Sequence, residues 1–293
     1  MDVLLTGSTG QIGLAVAEAL CLKGHRVFGV SRRSSNCEFL AKEVQVDISG
    51  TSATQKILEN VARCDVVVHA AATWGPSVTP FDVCATNCIG TECIIAVARR
   101  WECEHLVFLS SIGVIGEPQE VPIDERHQIR PTTRYHASKV YGESVARLEG
   151  KLNTLVLRLT APVGPRTPRG RIVSEFIAAA LAGSPLKVFG RGTRRQDYVD
   201  VRDIAIAITQ GIATRTSGVI NVGSGRATSN LELARLVLAT LSSPSRIEMC
   251  GVDPEEGKSW EVSIKKALEI LGYCPAISLQ QSIADMAANP QMR

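Results

Sequence analysis

Short apolar runs alternate with amphipathic stretches through the first half of the chain. Val3-Leu4-Leu5-Thr6 reads as a strand, and Ile12–Lys23 as a helix that stops at Gly24. Arg26–Val30 and Glu43–Asp47 read as the next two strands, with a helix near Ala53–Ala62. Asp65–Ala70 and His105–Ser110 are continuous apolar runs of the kind found in strands buried on both faces. Between them, Asn87–Trp101 carries Ile89, Cys93, Ile94 and Val97 at helical spacing. Helix Tyr135–Glu149 precedes strand Thr154–Leu159. This alternation predicts an α/β fold, a Rossmann-like doubly wound parallel sheet with helices on both faces.

Past Leu159 the pattern loosens. Pro162–Arg171 is rich in Pro, Gly and Arg and reads as a loop. Helix Val173–Ala182, strand Leu186–Phe189, the turn Gly190-Arg191-Gly192, helix Ile204–Ala213, strand Val219–Val222 and helix Asn230–Leu241 follow. No repeat or Ser/Gly linker separates two halves. The expected organisation is a dinucleotide-binding domain over 1–165, to which 198–223 returns. A smaller, interleaved C-terminal substrate lobe takes 166–197 and 224–293.

Composition narrows the function classes. With 293 residues and 45% hydrophobic content, the chain buries a large core. A net charge of +3 gives nucleic-acid binding no support. No apolar run in the sequence approaches membrane-spanning length. The nine cysteines form no Cys-x-x-Cys pair and no cluster with zinc spacing, so no metal is expected. They sit mostly in apolar segments, as Cys21 and Cys64 do, and read as small buried hydrophobes. An odd number of thiols with no signal peptide points to a reducing, cytoplasmic setting.

Two motifs carry chemistry. Thr6-Gly7-Ser8-Thr9-Gly10-Gln11-Ile12-Gly13 places a glycine-rich turn between a strand and a helix. There backbone N–H groups and the helix dipole favour a pyrophosphate. The second strand ends at Ser31-Arg32-Arg33 with no acid to bind ribose hydroxyls. Two arginines suit a 2′-phosphate, so NADP is the expected cofactor, with NAD the alternative. Exposed arginines after a strand are also ordinary solvated charges. Asp47-Ile48 is placed to meet the adenine, and Asp47 equally suits a helix N-cap.

Tyr135 and Lys139 are four residues apart in a helical segment and share a face. A phenol with a pKa of about 10 needs a neighbouring ammonium to become a base at neutral pH. Ser111, ending the His105–Ser110 strand, is placed to hydrogen-bond a substrate oxygen. The expected reaction is hydride transfer at nicotinamide C4, with Tyr135 exchanging a hydroxyl proton. His136 reads as a surface or pocket-wall residue. Tyr141 is an alternative phenol but lacks a lysine four positions on.

These motifs resemble an extended short-chain dehydrogenase/reductase of the nucleotide-sugar epimerase/dehydratase group. Further matches are His69-Ala70-Ala71, Asn87 with Gly90-Thr91, Ser110–Gly116, Arg158 with Pro162-Val163-Gly164-Pro165, Gln196–Asp203 and Asn221–Gly225. The resemblance implies a catalytic triad of Ser111, Tyr135 and Lys139. It implies cofactor contacts from Gly7, Thr9, Gly10, Gln11, Ile12, Gly13, Ser31, Arg32, Arg33, Asp47, Ile48, Ala70, Ala71, Ala72, Asn87, Tyr135, Lys139, Pro162 and Val163. On the substrate side it implies Ser111 and Ile112. Arg191, Arg194, Arg195, Arg166, Arg169 and Arg171 lie on neighbouring loops where they suit phosphate clamps, Arg166 and Arg195 first among them, or form a solvated basic loop.

Departures refine the expectation. The dehydratases of this group carry an Asp-Glu pair where Ile112 and Gly113 stand, which disfavours dehydration. The asparagine with which the group's epimerases commonly hold the sugar diphosphate is Ala161 here. The expected activity is NAD(P)(H)-dependent redox chemistry of the sugar-nucleotide epimerase/reductase type. A nucleotide-sugar 4-epimerase is the nearest alternative, and a non-catalytic cofactor-binding protein a remoter one. A small molecule, such as a nucleotide sugar, is the expected partner. The group often dimerises through the helices after Asn87 and around Tyr135. Ile89, Cys93, Val97, Val140, Val145 and Leu148 would supply the apolar faces of a homodimer, or simply pack on the sheet.

Overall fold

The structure is a computed structural model, described here for residues 1–75, 77–148, 150 and 152–289. Six strands build the first part of the central sheet: β1 (Asp2–Thr6), β2 (Arg26–Ser31), β3 (Lys42–Gln45), β4 (Val66–His69), β5 (His105–Ser111) and β6 (Asn153–Leu159). Seven more follow: β7 (Ala161–Val163), β8 (Leu186–Phe189), β9 (Arg195–Asp200), β10 (Gly218–Val222), β11 (Ala227–Ser229), β12 (Ile247–Cys250) and β13 (Ser259–Trp260). The helices are α1 (Gln11–Leu22), α2 (Ala53–Asn60), α3 (Pro80–Cys84), α4 (Gly90–Arg100) and α5 (Arg134–Leu148). Then come α6 (Ile172–Leu181), α7 (Val201–Ala213), α8 (Asn230–Thr240), α9 (Lys265–Leu271) and α10 (Leu279–Ala288). Helix α5 begins at Arg134, one residue before the sequence pattern suggested, and Glu149 lies outside the described residues.

The central sheet has seven strands in the order β10-β6-β5-β4-β1-β2-β3, all parallel. Its central strands are buried on both faces, as in β4, so Val66, Val67 and Val68 need no polar alternation. One face packs Val16, Ala17 and Leu20 of α1 together with Ile204, Ile208 and Ile212 of α7. The other packs Ile57 of α2 with Ile94, Val97 and Ala98 of α4. The order in which strands are added across the sheet reverses between β1 and β4, which opens a crevice at the carboxyl ends of those strands.

A smaller lobe has its own core of Val173, Phe176, Ile177, Val188, Leu233, Val237, Ile283 and Met286. Here β9 pairs with β7, β11 and β13, and β12 pairs with β8. Val163 packs into this second core, while Ala267, Leu271 and Tyr273, expected in the smaller lobe, pack into the main one. Asp197 of β9 ties the lobes. Its carboxylate accepts from Ser224 N (2.8 Å), Ser224 Oγ (2.8 Å) and Gly225 N (3.0 Å) just after β10.

Three expectations are corrected. The helix expected to begin at Asn87 runs from Pro80, because Thr79 caps it and Ala85–Ile89 continues it as a π-helical turn. The resulting apolar helix, Pro80–Arg100, is 21 residues long, which is membrane-spanning length. More than half of its most apolar 18-residue stretch is buried, as befits a core helix. Of the cysteines expected to be buried, Cys64 and Cys103 are, whereas Cys21, Cys84 and Cys274 are exposed, because those positions fall on outward helix faces and a loop.

Candidate active site

The glycine turn has no room for side chains. A Cβ on Gly13 would lie 2.1 Å from the Gly7 carbonyl oxygen, and one on Gly7, at φ +69°, 2.8 Å from Ala71 N. Gly10 is the N-cap of α1 and offers no side chain to its first turn. The turn is therefore a bare backbone cradle at a helix N-terminus, suited to a dinucleotide pyrophosphate.

A buried relay fixes the neighbouring loop. Thr91 Oγ1 donates to the Asn87 carbonyl (2.7 Å), so it accepts from His69 Nε2 (3.0 Å). The Nδ1 of His69 then accepts from Thr6 Oγ1 (2.7 Å), which itself accepts from Ala71 N (3.1 Å). Burial holds His69 neutral, its pKa pushed down to about 3, with the Lys139 ammonium adding to the shift. Asn87, in the π-helical turn, accepts from Thr73 N (2.8 Å) and donates to Thr73 O (3.0 Å) and Ser138 Oγ (2.9 Å). It thus locks the loop after β4 to α5, a common use of a π-turn.

Ser111, Tyr135 and Lys139 line one cleft of about 1400 Å³ with Gly7, Gly10, Gln11, Ile12, Gly13, Ala70, Ala72, Ile112 and Pro162. Pockets for one drug-sized ligand hold roughly 300–1,000 Å³, so this cleft has room for two. Ser111 Oγ accepts from Gly113 N (3.3 Å), which leaves its own proton for a ligand oxygen. Lys139 donates to the Leu109 carbonyl (2.8 Å), and its ammonium sits 5.8 Å from the Tyr135 ring centroid. Burial pushes Lys139 down to about 8, against the opposing pull of Glu143.

Tyr135 departs from expectation. Burial pushes its phenol up to about 12, and Arg171 is the group that works against this. The Lys139 ammonium is engaged by the Leu109 carbonyl of β5 rather than by the phenol oxygen. Arg171 stands with its guanidinium 3.6 Å over the Trp74 ring, and Trp74 lies 6.5 Å from Tyr135, centroid to centroid. Trp74 lines the cleft too, and nothing in its sequence context, an isolated aromatic in a loop, signalled it.

The other expected residues divide by position. Thr9 is partly exposed and Arg32, Arg33 and Asp47 are exposed, all outside the cleft lining. Ser31 is buried, as are Ile48 and Val163, whose side chains belong to the cores. Ala71 meets the turn through its backbone. Gln11 donates to Thr167 Oγ1 (2.8 Å), joining the turn to the second lobe. Arg166 lines the cleft but Arg195 does not. Arg195 donates to the Ala227 carbonyl (2.6 Å) and pairs with Glu232 (3.2 Å), because the β9–β11 pairing aims it away. Arg194, beside it, lines the cleft while paired to Glu255 (2.6 Å). Arg166 and Arg171 have no carboxylate partner among the described residues.

Comparison with known proteins agrees with this architecture. The family model described as "NAD dependent epimerase/dehydratase family" matches residues 3–223. The chain is 30% identical over 305 residues to the UDP-glucose 4-epimerase of Mycolicibacterium smegmatis, covering 97% of this chain and 96% of that one. It superposes on the Thermotoga maritima UDP-glucose 4-epimerase structure with UDP-glucose at a TM-score of 0.89 and 26% identity, covering 98% of this chain and 97% of that one. The Thermus thermophilus UDP-glucose 4-epimerase complex with NAD matches at 0.87 and 25%, with 98% of both chains covered. From its first strand to the loop after β10, the chain belongs to the NAD-dependent epimerase/dehydratase family, enzymes of the extended short-chain dehydrogenase/reductase type.

Proposed function

We propose that this enzyme is a nucleotide-sugar 4-epimerase acting on a UDP-hexose. The convergence of Ser111, Tyr135 and Lys139 with the glycine turn on a cleft of about 1400 Å³ carries the reading. A bound nicotinamide dinucleotide supplies a hydride acceptor and donor. Gly7, Gly10 and Gly13 would cradle its pyrophosphate, and Lys139 its nicotinamide ribose. Tyr135 takes the proton of the sugar hydroxyl and returns it, while Ser111 donates to the same oxygen. Arg166 and Arg171 suit the diphosphate, in the place that asparagine has vacated at Ala161. The relatives named UDP-glucose 4-epimerase support the sugar and its nucleotide.

The cofactor proposed is NADP in preference to NAD, on Arg32 and Arg33 at the end of β2 and the missing acid there. The NAD in the Thermus thermophilus complex favours the other choice for that protein. A homodimer is proposed through the face of α3–α5. Phe81 (75% exposed), Ile89 (52%) and Leu148 (79%) stand out from it, whereas Val97 is fully buried in the core.

The test is interconversion of UDP-galactose and UDP-glucose by the purified protein, with any retained dinucleotide released and identified by mass. Interconversion that Tyr135→Phe abolishes is expected. Neither epimer nor bound dinucleotide would overturn the reading. NADPH consumption on a keto-sugar without interconversion would favour a reductase, the second reading that Arg32 and Arg33 support.

A further inference from the structure

Gly113 has no side chain, and another residue fills the space one would occupy. An ideal Cβ there would lie 2.2 Å from His136 Nε2 and 2.4 Å from Cε1. The imidazole is laid against the turn after Ser111, inside the same cleft, with its centroid 5.3 Å from that of Tyr135. Its helix holds it there from the first turn, where His136 N donates to Thr133 Oγ1 (3.1 Å).

Among the described residues, the buried polar side-chain atoms without a hydrogen-bond partner include just two from residues lining this cleft: His136 Nδ1 and Trp260 Nε1. Orphaned buried polar atoms are rare and call for an explanation, a catalytic role among them. An indole N–H only donates, so of the two only the imidazole can move a proton. Nδ1 is sealed in, which leaves Nε2, the ring end beside Gly113, for exchange with the cleft; no hydrogen bond to a described residue engages it. Burial also lowers the affinity of the ring for a proton, so it is neutral at physiological pH, with one nitrogen protonated and one bare.

We propose that His136 is a second catalytic acid/base of this cleft, serving the carbon next to the oxidised one. The proposal rests on reading the cleft as a keto-sugar-nucleotide site. A carbonyl at the oxidised carbon makes the adjacent C–H acidic. That C–H bond breaks, an N–H bond forms at Nε2, and the electron pair moves onto the carbonyl oxygen beside the Ser111 and Tyr135 hydroxyls. Return of a proton restores the ketone with solvent hydrogen in place of the original, or with inverted configuration at that carbon. No net oxidant is consumed. A simple 4-epimerase has no use for this group, so the structure predicts a reaction at a second centre, or the latent capacity for one.

The experiment supplies the ketone directly. UDP-4-keto-6-deoxyglucose is incubated with the protein in heavy water, and loss of the C3 and C5 proton signals is followed by nuclear magnetic resonance. Wild-type protein is expected to accelerate one of these exchanges by about 100-fold over buffer, the low end for a positioned acid/base. His136→Asn and His136→Gln, each checked for folding by circular dichroism, are expected to return the rate to near that of buffer. The same preparation is assayed for interconversion of UDP-galactose and UDP-glucose. Interconversion without ketone exchange refutes the role of His136 and leaves the epimerase reading standing. Exchange without interconversion refutes the epimerase reading and supports the proton transfer. Exchange that survives both substitutions, or no exchange and no interconversion, overturns the proposal.

Discussion

Behind Lys139 lies an ion pair whose removal gives a sharp test of the packing. Glu143, one turn further along α5, accepts from Arg158 Nη2 (2.8 Å) and Nε (3.0 Å) and from Ser110 Oγ (2.5 Å). Both charged side chains are 3% exposed. Among the described residues Arg158 Nη1 lacks a partner, and this carboxylate is the counter-charge of the guanidinium. Glu143→Ala strands a buried cation, and breaking such a pair costs about 3–5 kcal/mol. At roughly 2–4 °C per kcal/mol for large domains, the melting temperature should fall by roughly 10 °C. Replacing both partners with apolar side chains removes charge and counter-charge together, so Glu143→Leu with Arg158→Leu should lie within about 2 kcal/mol of wild type. Thermal and urea unfolding followed by circular dichroism measure all the variants. A cost below about 1 kcal/mol for Glu143→Ala, or a double variant as unstable as the sum of its singles, would refute the account of a mutually dependent buried pair.

Three further outcomes follow from the same geometry. Tyr135→Phe should lower turnover by about 100-fold or more, the usual contribution of a positioned proton-transfer group, with no change in dinucleotide binding by calorimetry. Gly13→Ala should weaken dinucleotide binding while α8 and the second lobe keep their structure, because its methyl group enters the Gly7 carbonyl at 2.1 Å; unchanged affinity would show that the turn is not the pyrophosphate cradle. The Lys139 pKa is depressed from 10.5 to about 8. The unfolded chain therefore binds more protons between those values, and stability attributable to this group rises with pH across that window. In Lys139→Met that rise should vanish from urea unfolding measured at pH 7.5 to 10.5.

Much of the fold was legible because its strands and helices bury strong patterns. The runs at Val66–Val68 and Leu106–Leu109 are apolar throughout, and the helices between them show one apolar face. The glycine turn was legible because its function needs missing side chains, and missing side chains are visible in a sequence. By contrast, Arg195–Asp200 is a strand whose residues are mostly polar. It is held by pairing to three short partners and by the Asp197 clamp, and none of these is a local signal. Arg195 looked like a substrate clamp because its neighbours are basic, yet strand alternation turns it toward Glu232. The stack of Arg171 on Trp74 joins residues 97 positions apart, and the placement of His136 against Gly113 joins two elements that periodicity treats separately. The direction of the Tyr135 shift was misjudged for a related reason. Helical spacing brings Lys139 onto the right face, but it is silent about the burial that pushes the phenol up.

The position of β10 has a consequence for anyone dividing this protein. Its Gly218–Val222 segment pairs with Leu155–Leu159 and covers the outer edge of β6, yet it arrives only after the chain has visited the other lobe. Stopping translation near residue 165 would leave the backbone donors and acceptors of that leucine-rich margin bare, a template for sticking to other copies. An isolated amino-terminal fragment is therefore expected to form inclusion bodies, and separate production of the two halves should succeed only if they are made together and meet while folding.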